Sequence, residues 1–241
     1  MIRTTAFLIV CACASGAAAG LCDRAAPGLI YAACDGARGE LRLLPEDAGP
    51  TPQGALDLTG AYTATDLRAD GRPKPVGLFV RGGEIISREY VRFDGVLTIE
   101  NASPQLHYRR AVRLADQIYD LEKPAERAAF LDAAADAGAA VMQSHLLIID
   151  GEVDTAPIDG APRFRRRILF ETADGEIGVY DTSPRAVTLD EAAREVAETF
   201  SPSMALNLDM GSYDFCRRGG ELCGALAPAQ TAKLSNLLRL R

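Results

Sequence analysis

Between residues 75 and 210 the apolar positions fall mostly in short runs broken by glycine, and only twice in stripes of helical spacing. Pro75-Val76-Gly77-Leu78-Phe79-Val80-Arg81 and Glu84-Ile85-Ile86-Ser87 flank Gly82-Gly83, a hairpin signal. Asp94-Gly95 precedes Val96-Leu97-Thr98-Ile99 and reads as a turn followed by a strand. His145-Leu146-Leu147-Ile148-Ile149 and Glu152-Val153 lie either side of Asp150-Gly151. Arg167-Ile168-Leu169-Phe170-Glu171 and Glu176-Ile177-Gly178-Val179-Tyr180 lie either side of Asp174-Gly175, the clearest hairpin of the set. Asp-Gly and Gly-Gly suit tight hairpins because such turns need residues that tolerate positive φ. Together these units predict a large mixed or antiparallel sheet.

Two segments change period. Thr188-Leu189-Asp190-Glu191 is a capping box, and Leu189, Ala192, Ala193, Val196 and Phe200 then recur on one helical face. The alanine-rich stretch from Pro124 to Met142 predicts a second helix, with Pro124 in its first turn and Gly138 weakening its end. Met204-Ala205-Leu206-Asn207-Leu208-Asp209 returns to strand. The expected fold is α+β, a single domain with one large sheet flanked by a few helices.

The N-terminus has a separate character. Arg3 precedes the apolar run Ala6 to Cys13, and small residues follow up to Gly20. That order is a secretory signal peptide, with cleavage expected after Ala19. Val10 to Cys13 loosely resembles a lipobox, although Cys11 fits that pattern poorly. The run is too short to span a bilayer and no later run is longer, so no membrane span is expected. The organisation read from the chain is 1–19 signal peptide, 20–49 N-terminal strand segment with a disulfide, 50–215 main domain, and 216–241 disulfide loop and tail. The expected location is periplasmic or secreted.

Export changes the reading of the cysteines. Of six, Cys11 and Cys13 leave with the signal, and Cys22, Cys34, Cys216 and Cys223 remain. An even number in an oxidising compartment implies disulfides. Three pairings are open, and the short local loops favour Cys22–Cys34 with Cys216–Cys223. Neither pair has Cys-x-x-Cys spacing and the chain has two histidines, so neither metal nor cofactor is expected. The balance of 26 basic against 33 acidic residues disfavours nucleic acid as a partner.

No nucleophile elbow, Walker loop or zinc-protease motif is present, which leaves carboxylates and arginines as candidates. Asp209 ends an apolar strand and is followed by Gly211-Ser212, whose backbone amides could face an anion. Asp57-Leu58-Thr59-Gly60-Ala61-Tyr62 is a second strand running into a small-residue turn. Arg163-Phe164-Arg165-Arg166-Arg167 enters a third, where alternation sends Arg165 and Arg167 to one face and Arg166 to the other.

Read in order, these segments resemble the phosphodiester glycosidase family. The resemblance rests on Thr59-Gly60-Ala61-Tyr62, Pro75-Val76-Gly77-Leu78, Gln143-Ser144 with Asp150-Gly151, Arg166 with Asp174-Gly175, Thr188-Leu189, and Ala205 through Ser212. It covers roughly residues 50 to 215. It implies a hydrolase acting on a sugar phosphodiester or related envelope glycan. In that reading Arg166 binds phosphate, and Asp209 is acid, base or electrostatic stabiliser, with Asp57 as second carboxylate. Gly60, Tyr62, Gln143, Gly211 and Ser212 complete a substrate-binding site. The family pattern is broken where Phe170 and Met210 replace glycines and where Gly-Pro is missing after Gln143-Ser144. Those side chains are expected to narrow or close the pocket. This leaves a rival reading, a carbohydrate-binding or structural module that keeps the sheet without turnover.

Overall fold

The computed structural model describes residues 21–23, 26–226 and 228–241. The proposed signal peptide at 1–19 lies outside the described residues. Three large antiparallel sheets enclose a central core, two two-stranded ribbons lie beside them, and two helices cover the outer faces of two of the large sheets. The first sheet has six strands in the order Leu29–Ala33, Ile177–Asp181, Arg167–Glu171, Met204–Leu208, Leu146–Ile149 and Glu152–Val153. The second has five, Glu84–Ser87, Phe79–Arg81, Ala140–Ser144, Gly95–Glu100 and Ser103–Tyr108. The third also has five, Glu221–Leu222, Cys216–Arg218, Leu56–Thr59, Asn236–Leu240 and Gly39–Leu43. This is an α+β arrangement dominated by sheet.

Period-two alternation explains how two apolar faces arise on one strand. In Arg167–Glu171, Leu169 joins the central core with Leu58, Phe79, Leu97, Met142 and Leu206. Its neighbours Ile168 and Phe170 point the other way, under the helix Leu189–Phe200 with Val196 and Phe200. In the second sheet Val80, Val96 and Val141 meet Phe130 and Leu131 of the helix Pro124–Asp136. The capping box is complete in both directions: Glu191 N–H donates to Thr188 Oγ1 at 3.1 Å, and Thr188 N–H donates to the Glu191 carboxylate at 2.9 Å.

Three expectations are corrected. The alanine-rich helix stops at Asp136, because Gly138 takes φ +63° and Ala140–Ser144 is needed as a central strand. Asp94-Gly95, read as a turn ahead of a strand, is instead the entry to that strand. Gly95 is the first residue of its strand, where a Cβ would lie 2.3 Å from Leu206, and the Asp94 carboxylate accepts the Leu146 N–H at 2.7 Å. The stretch read as a tail contains Asn236–Leu240, buried throughout and paired on both sides. Disulfides join Cys22 to Cys34 and Cys216 to Cys223. No helix among the described residues is long and apolar enough to cross a membrane.

Candidate functional site

The strand Met204–Leu208 leaves the first sheet beside Arg167–Glu171, with Asn207 opposite Ile168 and Leu208 opposite Arg167. The next residue, Asp209, is caught by the turn that follows Leu56–Thr59: its N–H donates to the Gly60 carbonyl at 3.0 Å. That turn is itself clamped by the Asn236 amide, which accepts from Ala61 N–H at 2.8 Å and donates to the Ala61 carbonyl at 2.9 Å. Glycine is required at 60 because a Cβ would stand 2.6 Å from Asn236 Oδ1. Three distant segments therefore converge on Asp209. Between them opens a cavity of about 390 Å³, lined by Tyr62 and Thr63, by Phe164, Arg165 and Arg166, by Asn207 to Gly211, and by Tyr213.

The electrostatics are uneven. Asp209 is 5 % exposed and, among the described residues, has no cation within salt-bridge distance. Burial pushes its carboxyl up to about 7, against the pull of hydrogen bonds from Thr63 N–H at 3.1 Å and from Met210 N–H. Tyr62, whose hydroxyl is bonded to the Asn207 side-chain amide, is pushed up to about 12 by burial. Its phenol also feels the charges of Asp209 and Arg166. Behind it Phe93 and His145 pack their rings, at 5.2 Å from Tyr62 to Phe93 and 4.2 Å from Phe93 to His145. Burial lowers the His145 pKa, so this imidazole is a neutral packing group. Asn207 is almost wholly buried, and its Oδ1 has no hydrogen-bond partner. An orphaned buried acceptor costs free energy unless a ligand or water completes it.

Arg166 is held by carbonyls, Nε to Val187 at 3.4 Å and Nη2 to Pro162 at 3.3 Å, with its guanidinium 5.2 Å from the Phe164 ring centroid. No carboxylate among the described residues pairs with it, and burial lowers its pKa. Its neighbours, by contrast, are paired with carboxylates, although Arg165 also lines the cavity. Arg167 is fully buried between Asp181 at 2.7 Å and Asp214 at 2.9 Å, and Arg165 reaches the same Asp214 at 3.3 Å.

Four of the residues selected from sequence, Asp209, Arg166, Tyr62 and Gly211, line the cavity together. Gly211 takes φ +77°, a backbone state that favours glycine. Ser212 follows it in the short Gly211–Tyr213 turn. Asp57 stands apart and is corrected to a structural role. Its carboxylate is buried between Arg239 at 2.6 Å and Arg42 at 3.3 Å and accepts from Thr51 Oγ1 at 2.7 Å. Gln143 is also corrected. It is fully buried and its amide is spent on backbone, donating to the Val91 and Phe93 carbonyls at 2.9 and 2.8 Å and accepting from Leu78 N–H at 3.3 Å. Gly60 supports Asp209 from behind and does not line the cavity. Phe170, expected to close the pocket, is instead in the core, stacked 4.7 Å from Phe200. Met210 is among the residues lining the cavity. Sequence reading gave no separate role to Asn207, Thr63 or Phe164. Asn207 had a usable signal, an amide inside the apolar run Ala205 to Leu208. Among the described residues no group of three or more His, Cys, Asp or Glu side chains could hold a metal.

No protein-family model matches the chain, and no curated protein matches it in sequence. Several solved structures share its fold, three of them as follows. The catalytic domain of zebrafish N-acetylglucosamine-1-phosphodiester alpha-N-acetylglucosaminidase, auto-inhibited by its pro-peptide, superposes with TM-score 0.53 at 11 % identity, covering 85 % of this chain and 72 % of that one. A protein of Burkholderia pseudomallei described as exported gives 0.55 at 14 % identity, covering 85 % and 71 %. A hypothetical protein from Synechocystis gives 0.50 at 13 %, covering 86 % of this chain and 57 % of that one. At these identities the likeness is one of fold.

Proposed function

We propose that this chain is an exported, divergent member of the phosphodiester glycosidase family and hydrolyses a sugar phosphodiester at the Asp209 cavity. The observation that carries this reading is the meeting, in one open cavity, of a buried carboxyl without a counter-ion and an arginine without a carboxylate. Arg166 offsets the charge of the phosphate. The protonated Asp209 carboxyl donates to the bridging oxygen as the C1–O bond breaks, so a phosphate monoester departs. Water forms the new C1–O bond and its remaining proton passes to solvent, leaving a free sugar. The turn at Gly211-Ser212 and the orphaned Asn207 Oδ1 supply polar contacts for the ligand. The disulfides and the exported relative of like fold support a periplasmic or secreted location.

A second reading has one specific observation behind it: Asp209 is the sole carboxylate among the residues lining the cavity. Paired-carboxylate glycosidases need two. A carbohydrate-binding module without turnover would need none. Incubating concentrated protein with methyl N-acetylglucosaminyl 1-phosphodiester decides between them. The hydrolase releases reducing sugar, with activity falling as pH rises through about 7 and lost in Asp209→Asn. Binding without release establishes the module.

A further inference from the structure

A second cavity, of about 260 Å³, lies on the other side of Arg166. It is walled by Ala156, Ile158, Ala161, Pro162 and Leu189, with Thr155, Thr188 and Asp190 at its edge. These polar groups are already engaged. Thr155 Oγ1 donates to Asp190 at 3.1 Å, Arg194 donates to the same carboxylate at 2.9 Å, and Thr188 Oγ1 caps its helix. What the cavity offers a ligand is therefore hydrocarbon, and Ile158 at its rim is 73 % exposed. Arg166 is the one residue that lines both this cavity and the Asp209 cavity.

A half-buried guanidinium whose partners are two carbonyls favours an anion. The two spaces that meet at it differ in character. One ends in a carboxyl, an orphaned amide oxygen and a tyrosine; the other is apolar. A phosphate monoester would reach into only one of them. A diester carries two arms from one charge.

We infer that the ligand is an amphiphilic phosphodiester, its sugar in the Asp209 cavity and an apolar alkyl or prenyl group on the same phosphate in the Ala156–Leu189 cavity. The inference rests on the hydrolase reading for the sugar arm, but the apolar arm is carried by the second cavity. Hydrocarbon in such a space gains roughly four-fold in affinity per buried methylene.

Calorimetric titration and sugar-release assays with methyl and octyl N-acetylglucosaminyl 1-phosphodiesters test it. The octyl diester should bind at least ten-fold more tightly than the methyl diester. Ala156→Trp, a change at an exposed loop position, should fill the cavity and erase that preference while leaving the methyl diester unaffected. Ile158→Asp, also exposed, should reduce the preference without crowding. Equal affinity for the two diesters, or an octyl preference that survives both variants, overturns the inference. If the octyl preference holds but neither diester is cleaved, the hydrolase reading falls and the apolar subsite stands. If both are cleaved with equal kcat/KM, the hydrolase stands and the subsite falls.

Discussion

Asp209→Asn exchanges a carboxyl for a neutral amide of the same size at a position where the fold disfavours charge. The folded carboxyl titrates at about 7, roughly three units above an aspartate in an unfolded chain, ~3.9. Folding thus favours the protonated acid. Its contribution to stability is fully present below about pH 4 and is lost as pH rises to about 7. Integrated over that window the loss is about 4 kcal/mol, of which about 3 kcal/mol falls between pH 5 and pH 8.5. Other groups also shift on folding, among them Glu171, raised by burial, and His107, lowered to about 4 by burial. They are common to both proteins and cancel in the difference. The amide also changes the hydrogen bonds from Thr63 and Met210, but that offset is independent of pH. The assay is urea unfolding of wild type and variant at pH 5 and pH 8.5. The stability of the variant relative to wild type should rise by about 3 kcal/mol between the two. A rise below about 1 kcal/mol would refute the claim that this carboxyl is buried without a counter-ion, and with it the case for an acid near neutrality.

Two further changes separate support from chemistry. Phe170→Ala should cost about 3–5 kcal/mol, read from the urea midpoint, while ligand affinity at the Asp209 cavity stays the same; a change in affinity would place Phe170 in the pocket after all. Asp57→Asn strands two buried guanidiniums, Arg42 and Arg239, and should cost about 3–5 kcal/mol with KM unchanged. A selective loss of kcat at full stability would restore Asp57 as a second carboxylate.

The comparison of Asp57 with Asp209 shows where sequence stops being informative. Both follow a leucine near the end of an apolar strand, and both precede a small-residue turn. Locally they are the same signal. What separates them is the partner: Arg239, 182 residues on, and Arg42, 15 residues back, neutralise one, and among the described residues no cation pairs with the other. Gln143 fails in the same way, since residue type was legible but the direction of its amide was not. Hairpins and the capping box were legible because their causes are local, positive φ at Asp150-Gly151 and a reciprocal Thr188–Glu191 bond. The overlong helix has a competing cause. Alanine propensity continues to Ala140, but the sheet needs Val141 and Met142 in a strand between Phe79–Arg81 and Gly95–Glu100. Tertiary pairing overrides propensity there.

The strand Asn236–Leu240 sits between Gly39–Leu43 and Leu56–Thr59, and this sets an order of events during synthesis. A ribosome delivers the two outer strands early and their shared neighbour last. Until then both present open edges to each other across a gap one strand wide, a template that any extended peptide could occupy. Closure over so long a sequence separation is slow. Asn236 also clamps the turn that carries the Gly60 carbonyl, on which Asp209 is hung. The acid is therefore set in place only when this strand docks, and a nascent chain that has already made Asp209 holds an unarmed site until Asn236 follows it.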